Sequence, residues 1–305
     1  EKNIYEVLIG EQFKGKEKLI EPNVKALNLG FNYAEENLKD KCAIKVEKSN
    51  KTDGMILTSG NDAAGLGCVY GGATVCTWYP ITPSTSLAEA FTDYCEKLRI
   101  EDKSNKNKFA IIQAEDELAA IGMAIGANWN GARGFTATSG PGISLMSEFL
   151  GLAYFAEVPL VIFDIQRGGP STGMPTRTQQ SDVLTCAYAS HGDTKHVLLI
   201  PSTPKECFDF AVQAFDLADR LQTPIIVLSD LDLGMNDWTT PELQWDDSRE
   251  YDRGKVLYKE DLENLETWGR YLDVDGDGIP YRTYPGTHPE KGAYFTRGTS
   301  HDENA

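Results

Sequence analysis

The chain has 305 residues, 41% of them hydrophobic and 25% charged, so it can bury at least one full-sized core. Its 46 acidic and 29 basic side chains give a formal net charge of −17. A field of this sign repels phosphate backbones and argues against nucleic-acid binding, and no apolar run is long enough to predict a membrane span.

The six cysteines give a prediction about redox chemistry. None stands in a CxxC pair, and their spacing matches no zinc or iron–sulfur motif. They lie in apolar segments, as free thiols do in proteins of the cytoplasm. We therefore expect a cytoplasmic protein whose own chain holds no iron–sulfur cluster.

Three segments follow one another along the chain. Residues 1–51 are rich in lysine, glutamate and asparagine and predict a linker or the tail of a preceding domain. In residues 52–234, short apolar runs alternate with longer helical patterns. Residues 235–305 lose this periodicity, and we expect an irregular extension that packs on partner subunits.

The middle segment predicts an α/β domain. Its strand candidates are Met55–Ser59, Thr74–Tyr79, Phe109–Ala114, Gly134–Ser139, Leu160–Ile165, His196–Pro201 and Pro224–Asp230. They are almost continuously hydrophobic, as parallel strands buried on both faces are. Strand–helix alternation of this kind predicts a doubly wound, mostly parallel sheet with helices on both faces.

Ligands of an open parallel sheet bind at the carboxyl ends of its strands, so the strand-to-helix junctions are the candidate sites. The first junction, GNDAAGLGCVYGG, holds Gly65, Gly67 and Gly71. A dinucleotide-binding loop would place its first glycine at the strand end, but these glycines lie inside the following helix. They favour close helix packing, and a nicotinamide-dependent dehydrogenase remains the weaker alternative.

The second junction, YPITPST, starts at Tyr79 and holds Thr82 between two prolines. The prolines stiffen the turn, which makes the Thr82 hydroxyl a candidate for contact with an anionic ligand. The third junction, QAEDELAAIGMAIGA, places Glu115, Asp116 and Glu117 in the first turn of a helix. Acids there complement the helix dipole, but three in a row exceed what capping requires, so one is a candidate for a carboxyl in a cleft.

The fourth junction, TATSGPGISLM, is a glycine turn before a helix. Its main-chain N–H groups could cradle a phosphate, and a plain tight turn explains the pattern equally well. The fifth, DIQRGGPSTGMPT, places Arg167 at a strand end before two glycines. A guanidinium pairs with a carboxylate through two hydrogen bonds, so we expect Arg167 to bind one rather than to form a surface salt bridge.

The second to fifth junctions together resemble the pyrimidine-binding domain of 2-oxoacid:ferredoxin oxidoreductase α subunits, most nearly the 2-oxoglutarate type. The resemblance covers residues 52–300, with the motifs in the family's order. Residues 1–51 resemble the end of a γ domain that some members fuse ahead of α, and the α-subunit domain that usually follows is missing. We therefore expect a piece of a longer chain.

The resemblance implies that thiamine diphosphate binds between this chain and a β subunit, which carries the diphosphate and Mg²⁺. Glu117 would hydrogen-bond a ring nitrogen of the pyrimidine, with Glu115 as the second choice for that role. Arg167 and Thr82 would hold the substrate carboxylate. The remaining contacts that it implies are Tyr79, Pro80, Ile81, Ser139 and Gly140 for the cofactor, and Gly168, Ser171 and Thr172 for the substrate.

The activity implied is oxidative decarboxylation of a 2-oxoacid with coenzyme A, the electrons passing to ferredoxin through an iron–sulfur cluster on another chain. The hydroxyls of Ser171 and Thr172 slightly favour a dicarboxylate substrate such as 2-oxoglutarate. A non-catalytic scaffold subunit is the alternative that the long extension suggests.

One further motif, DVDGDGIP, lies in the extension. Asp273, Asp275 and Asp277 match the first half of a calcium loop, but the twelfth position is Tyr284 instead of glutamate. A structural Ca²⁺ or Mg²⁺ and a plain acidic turn are the two interpretations.

Overall fold

The computed structural model describes residues 2–39, 41, 44, 46–47, 49–100, 106–266 and 268–291. The chain divides into two compact units, residues 1–53 and 54–305. Cys42 and the end of the predicted extension, residues 292–305, lie outside the described residues.

The first unit is helical. Helix α1 spans Lys2–Gln12, a 3₁₀ turn spans Glu17–Leu19, and helix α2 spans Ile20–Asn37. None of the residues in these three elements is buried. Their apolar residues therefore contribute little to a core of this unit, and packing within it adds little stability.

The second unit is built on a six-stranded parallel sheet with the order β3-β2-β4-β5-β7-β6. The strands are β2 (Val75–Trp78), β3 (Ala110–Gln113), β4 (Gly134–Thr138), β5 (Leu160–Gln166), β6 (Val197–Leu199) and β7 (Pro224–Asp230). The helices are α3 (Gly60–Tyr70), α4 (Thr85–Leu98), α5 (Glu117–Trp129), α6 (Gly140–Phe155), α7 (Val183–Ala187), α8 (Pro204–Leu221) and α9 (Leu231–Met235). The predicted doubly wound fold is confirmed.

The sheet separates two hydrophobic cores, because successive side chains of a strand point to opposite faces. On β5, Phe163 and Ile165 join the core under α3, α4 and α8. Leu160 and Ile162 join the core under α5 and α6. All seven residues of β5 are buried, which explains the continuous apolar run that the sequence shows there.

The first predicted strand does not belong to this sheet. Strand β1 (Met55–Thr58) pairs antiparallel with strand β8 (Trp238–Pro241) in a separate two-stranded sheet. Met55 and Leu57 are exposed, and burial alternates along the strand. The expectation of a parallel strand buried on both faces was therefore wrong for this segment, whose apolar residues are covered on one face only.

The glycines of α3 are packing residues. A Cβ on Gly67 would lie 2.5 Å from the carbonyl oxygen of Phe208 in α8, and one on Gly65 would lie 2.9 Å from the Cβ of Ala90 in α4. The helices therefore approach as closely as glycine allows. The packing interpretation is confirmed, and the glycine series gives the nicotinamide alternative no support.

The C-terminal extension contacts its own domain. Its described part contains β8 and one short helix, α10 (Lys259–Asn264). Arg282 of the extension donates to Asp219 of α8 at 2.8 Å, and Arg133 donates to the other oxygen of the same carboxylate at 2.8 Å. All three side chains are buried. A buried ion-pair cluster thus connects the extension to α8 and to the residue that precedes β4.

Two further expectations concern membrane-spanning helices and the cysteines. In the described part of the chain, no helix combines the length and the apolar character that a membrane span requires. Five of the six cysteines are described, and all five are free and buried.

Candidate functional site

The four junction motifs of the predicted site meet at one edge of the sheet. They follow β3, β2, β4 and β5, which are neighbours in that order. Parallel strands present their carboxyl ends at the same edge, so the third, second, fourth and fifth junctions lie side by side. The sequence order of the motifs is therefore not their order in space.

Arg167 follows β5 directly, and its side chain is 5% exposed. Its Nη1 donates to the main-chain carbonyl of Thr82 at 2.6 Å, and its Nη2 donates to the carbonyl of Thr172 at 2.7 Å. Its Nε finds no partner among the described residues. Burial lowers the pKa of the guanidinium, and the negative charge of Glu117 opposes that lowering. Arg167 thus has donors left for an anion.

Glu117 and Glu115 differ in their surroundings because of the residue between them. Asp116 is the N-cap of α5, and its Oδ1 accepts from the Ala119 N–H at 2.7 Å. The cap makes Glu117 the first helical residue, where its side chain is 7% exposed, while Glu115 stays outside the helix and is exposed. Glu117 is therefore the buried one of the two carboxyls, and its contact with a cofactor stays a prediction.

The N-terminus of α6 packs against Glu117. A Cβ on Gly142 would lie 3.1 Å from the Glu117 Cγ and 1.8 Å from the Thr138 Oγ1, so only glycine fits. Ser139, the N-cap residue, is fully buried, and its Oγ has no hydrogen-bond partner among the described residues. This free hydroxyl follows β4 and lies in the fourth junction, which is predicted to contact the cofactor.

The turn after β2 supplies main-chain groups. Thr82 is exposed, and its carbonyl accepts from Arg167. The Ile81 N–H donates to the Thr85 Oγ1 at 3.0 Å, which fixes the turn at the start of α4. Tyr79 is half-buried and Pro80 is exposed. The predicted hydroxyl contact of Thr82 with a ligand stays a prediction.

A cleft of about 670 Å³ opens between the start of α6 and the loop that follows β5. This volume is in the usual range for small-molecule sites. The predicted residues in its lining are Gly140, Arg167, Gly168, Ser171 and Thr172. The predicted substrate residues other than Thr82 thus share one cleft, and Thr82 is linked to it through Arg167.

Two acids at this cleft were missed by the sequence reasoning. Asp182 lines the cleft, and a Cβ on Gly140 would lie 2.8 Å from its Oδ2. Its carboxyl is hydrogen-bonded to that of Asp164, which lies on β5 and is 0% exposed. A charged residue within the otherwise apolar run Leu160–Ile165 is the signal that could have found Asp164. Nothing in the sequence indicates its partner.

The acidic turn of the extension is arranged around a lysine. Lys255 Nζ lies 2.7 Å from Asp275 Oδ2 and 2.8 Å from Asp277 Oδ1, while Asp273 accepts from the N–H groups of Gly276 and Gly278. In the ranges that the structure describes, no three histidine, cysteine or carboxylate side chains are grouped to hold a metal ion. The calcium-loop interpretation therefore gains no support, because the ammonium group takes the place of a cation.

A family model described as pyruvate flavodoxin/ferredoxin oxidoreductase, thiamine diphosphate-binding, matches residues 66–273. The chain is 47% identical over 171 residues to the 2-oxoglutarate synthase subunit KorA of Methanothermobacter marburgensis, covering 56% of the chain and 43% of that protein. It is 36% identical over 304 residues to subunit alpha of 2-oxoacid:ferredoxin oxidoreductase 2 of Aeropyrum pernix, covering 98% of the chain and 46% of that protein.

Among solved structures, the chain is similar to the 2-oxoglutarate:ferredoxin oxidoreductase of Magnetococcus marinus, solved with 2-oxoglutarate, coenzyme A and succinyl-CoA bound. The TM-score is 0.80 and the identity 32%, over 99% of this chain and 50% of that chain. The chain thus spans about half the length of the relatives that it matches.

Proposed function

The chain belongs to the pyruvate flavodoxin/ferredoxin oxidoreductase family and contains its thiamine-diphosphate-binding domain, and we propose that it is part of an α subunit that acts in oxidative decarboxylation of 2-oxoglutarate. The observation that carries this proposal is the buried Glu117 carboxyl beside Arg167, at the edge where four neighbouring strands end. The relatives named for 2-oxoglutarate support the choice of substrate.

The products of the proposed reaction are CO₂, acyl-CoA, reduced ferredoxin and a proton. The 2-oxoacid loses CO₂, its 2-oxo carbon is oxidised by two electrons, and the acyl group is transferred to the sulfur of coenzyme A, whose thiol proton is released. The electrons pass singly to ferredoxin. Thiamine diphosphate, when bound, supplies the nucleophilic carbon and the electron storage that this reaction needs, and the protein orients it and controls protonation.

The residues at the edge of the sheet fit an aminopyrimidine. Glu117 offers a carboxyl that is withdrawn from water, and its Cγ packs against Gly142 at the start of α6. The Ser139 hydroxyl has unused hydrogen-bonding capacity. We propose that Glu117 holds a proton at a ring nitrogen, and that the turn of Tyr79–Ile81 lies along the ring.

Arg167 is proposed to hold the substrate carboxylate. Two main-chain carbonyls fix the plane of its guanidinium, so that its remaining N–H groups are oriented before a ligand arrives. The cleft lining also provides the hydroxyls of Ser144, Ser171 and Thr172, which suit a second carboxylate. These contacts support a dicarboxylate substrate.

The remaining parts of the reaction are proposed to lie on other polypeptides. A β subunit would bind the diphosphate with Mg²⁺, and the iron–sulfur cluster would lie on another chain, because the five described cysteines are buried and are not grouped as a cluster site would need. Free buried thiols of this kind support a cytoplasmic location.

The test is an assay of the full-length subunit with its partner subunits, using pyruvate, 2-oxoglutarate and a branched-chain 2-oxoacid with a viologen acceptor. We expect viologen reduction that requires coenzyme A, with the highest kcat/KM for 2-oxoglutarate. A preference for pyruvate would overturn the substrate assignment. An assembled complex that reduces viologen with none of the three would favour the scaffold alternative.

A further inference from the structure

The loop of residues 167–182, here called the arginine loop, joins β5 to α7 and forms one wall of the cleft. Residues 170–181 are all exposed, so the middle of the loop has little packing of its own. A few internal hydrogen bonds shape it, such as Gly168 N–H to Arg177 carbonyl at 2.8 Å and Met174 N–H to Gly168 carbonyl at 2.7 Å. Its position therefore depends on how its two ends are held.

The far end of the loop is held by Asp182. Its main-chain N–H donates to the Oε1 of Gln166 at 3.0 Å, and its carboxyl is hydrogen-bonded to that of Asp164. Gln166 and Asp164 are two residues apart on β5, so their side chains leave the strand on the same face. Strand β5 thus holds both ends of the loop, since Arg167 follows its last residue.

The two carboxyls require a proton between them. Asp164 Oδ1 and Asp182 Oδ2 are both buried, and neither accepts a hydrogen bond from any described N–H or O–H group. Two carboxylate oxygens in contact repel each other unless one carries a proton and donates it to the other. Burial raises the pKa of Asp164 well above its ordinary range, and the charge of Asp182 raises it further. Burial also raises the pKa of Asp182, while the bond from Asp164 opposes that rise.

The groups around the pair do not replace this proton. From α7, the Cys186 thiol donates to Asp164 Oδ2 at 3.4 Å, and burial raises the pKa of this thiol, so it stays protonated. From α6, Gly140 presents only its main chain to Asp182, at the positive end of the helix dipole. Ser181 also hydrogen-bonds the Asp182 carboxyl, and no lysine, arginine or histidine of the described residues forms an ion pair with Asp164 or Asp182.

We propose that Asp164 and Asp182 share a single proton and thereby clasp the arginine loop onto β5, which makes them positioning residues for Arg167. The negative charge rests on Asp182, beside the N-terminus of α6, and the proton rests on Asp164. The role assigned to Arg167 rests on the proposed function, whereas the shared proton and the clasp do not.

Loss of the proton opens the clasp. Two adjacent carboxylates with no cation between them repel, and Asp182 is the member that can move, because it is half-buried and follows an exposed segment. The loop then leaves β5, and Arg167 loses the Thr172 carbonyl that fixes its Nη2. If the closed loop is populated about one-tenth of the time, the apparent KM for the oxoacid rises about tenfold.

The experiment compares three variants of the full-length subunit in its complex. In Asp164→Asn, the amide donates to Asp182 and its oxygen accepts from Cys186, but no proton can be lost. Asp164→Ala removes the bond at every pH. Asp193→Asn is the matched control, because it replaces an exposed aspartate outside the arginine loop.

Hydrogen exchange of residues 168–181 and the KM for 2-oxoglutarate are measured from acidic to alkaline pH, with exchange corrected for its intrinsic pH dependence. We expect loop protection to fall and KM to rise about tenfold with pH in the wild type and in Asp193→Asn. Both should be independent of pH in Asp164→Asn, and protection should be absent throughout in Asp164→Ala. A pH-dependent loop in Asp164→Asn would overturn the proposal.

Infrared spectroscopy tests the shared proton without reference to activity. The wild type minus Asp164→Asn difference spectrum at neutral pH should contain the C=O stretch of a protonated carboxyl, and its absence would overturn the proposal even if Asp164→Ala fails to fold. If the complex turns over no 2-oxoacid, the proposed function fails, while the exchange and infrared measurements still decide the clasp.

Discussion

The Nη1 of Arg167 donates to the main-chain carbonyl of Thr82 at 2.6 Å, across a sequence separation of 85 residues. This bond joins the loop after β5 to the turn after β2, although β4 lies between the two strands. The arginine is thus both a link between two walls of the site and a donor towards it. These bonds fix the guanidinium in one orientation, which is what the proposed carboxylate contact requires.

Arg167→Lys should show whether the hydrogen-bonding geometry of Arg167 matters beyond its positive charge. A lysine keeps the positive charge but is unable to bond two carbonyls and a carboxylate in one plane. Loss of one charged hydrogen bond, at about 1.5–3 kcal/mol, predicts a KM for the oxoacid that is roughly 10- to 150-fold higher. Steady-state kinetics of the complex measures this, and the KM for coenzyme A should not change. Equal effects on both substrates would count against carboxylate binding, and Arg177→Lys, on an exposed residue of the same loop, is the control.

Gly142→Ala should disturb Glu117 without touching its carboxyl. The new Cβ would lie 1.8 Å from the Thr138 Oγ1 and 3.1 Å from the Glu117 Cγ, so both side chains must shift. We expect a stability cost of about 1–3 kcal/mol from overpacking and a marked loss of kcat. Gly126→Ala, in α5, is the matched control, because a Cβ there meets nothing within 4 Å. Equal kcat in the two variants would contradict the packing of Glu117 against α6.

Asp219→Ala should be strongly destabilising. The carboxylate binds Arg133 and Arg282, and without it Arg282 would be a buried cation with no ion-pair partner among the described residues, while Arg133 would keep only Asp216. Breaking a buried ion pair from one side costs about 3–5 kcal/mol, which urea unfolding measures. Asp209→Ala in the same helix removes a half-exposed partner of Lys205 and should cost no more than about 1 kcal/mol. Similar midpoints for the two variants would show that the extension does not depend on this cluster.

The raised pKa of Asp164 predicts a pH dependence of stability with a definite sign. The folded state keeps this proton to a higher pH than the unfolded state does, so the free energy of unfolding falls as pH rises. The fall begins near the ordinary carboxyl pKa of about 4 and continues up to the raised value. Urea unfolding at several pH values should show this slope in the wild type and a smaller one in Asp164→Asn. Identical slopes would contradict the prediction.

The sequence predicts the parallel sheet and the edge that carries the site, because both follow from local patterns. Apolar runs identify the buried strands, and Arg167 is placed correctly as soon as its strand ends. Strand β1 shows the limit of this reasoning. Its partner β8 lies about 180 residues further along the chain, and no local pattern distinguishes an antiparallel pair on the side of the domain from a strand of the main sheet.

The contacts that the sequence did not predict were missed for one physical reason. The role of a carboxylate can be predicted from sequence only when its partner is known, and the fold determines that partner. Lys255 lies between Asp275 and Asp277, where a metal ion was one of two interpretations, and Asp164 forms a pair with Asp182 that the sequence of neither segment indicates. Of the two candidate glutamates, Glu117 is buried and Glu115 is exposed, because Asp116 between them caps the helix, and the role of Glu117 stays a prediction.

The most direct test of the proposed function is Glu117→Gln in the full-length complex, with Glu115→Gln as the exposed control two residues away. Glutamine keeps the shape and burial of the side chain but is unable to hold a proton for a ring nitrogen. Because positioned acid–base groups contribute about 10²- to 10⁴-fold, we predict that kcat of decarboxylation falls by that factor in Glu117→Gln and stays close to wild type in Glu115→Gln. A Glu117→Gln complex that decarboxylates 2-oxoglutarate at a near-normal rate would contradict the account.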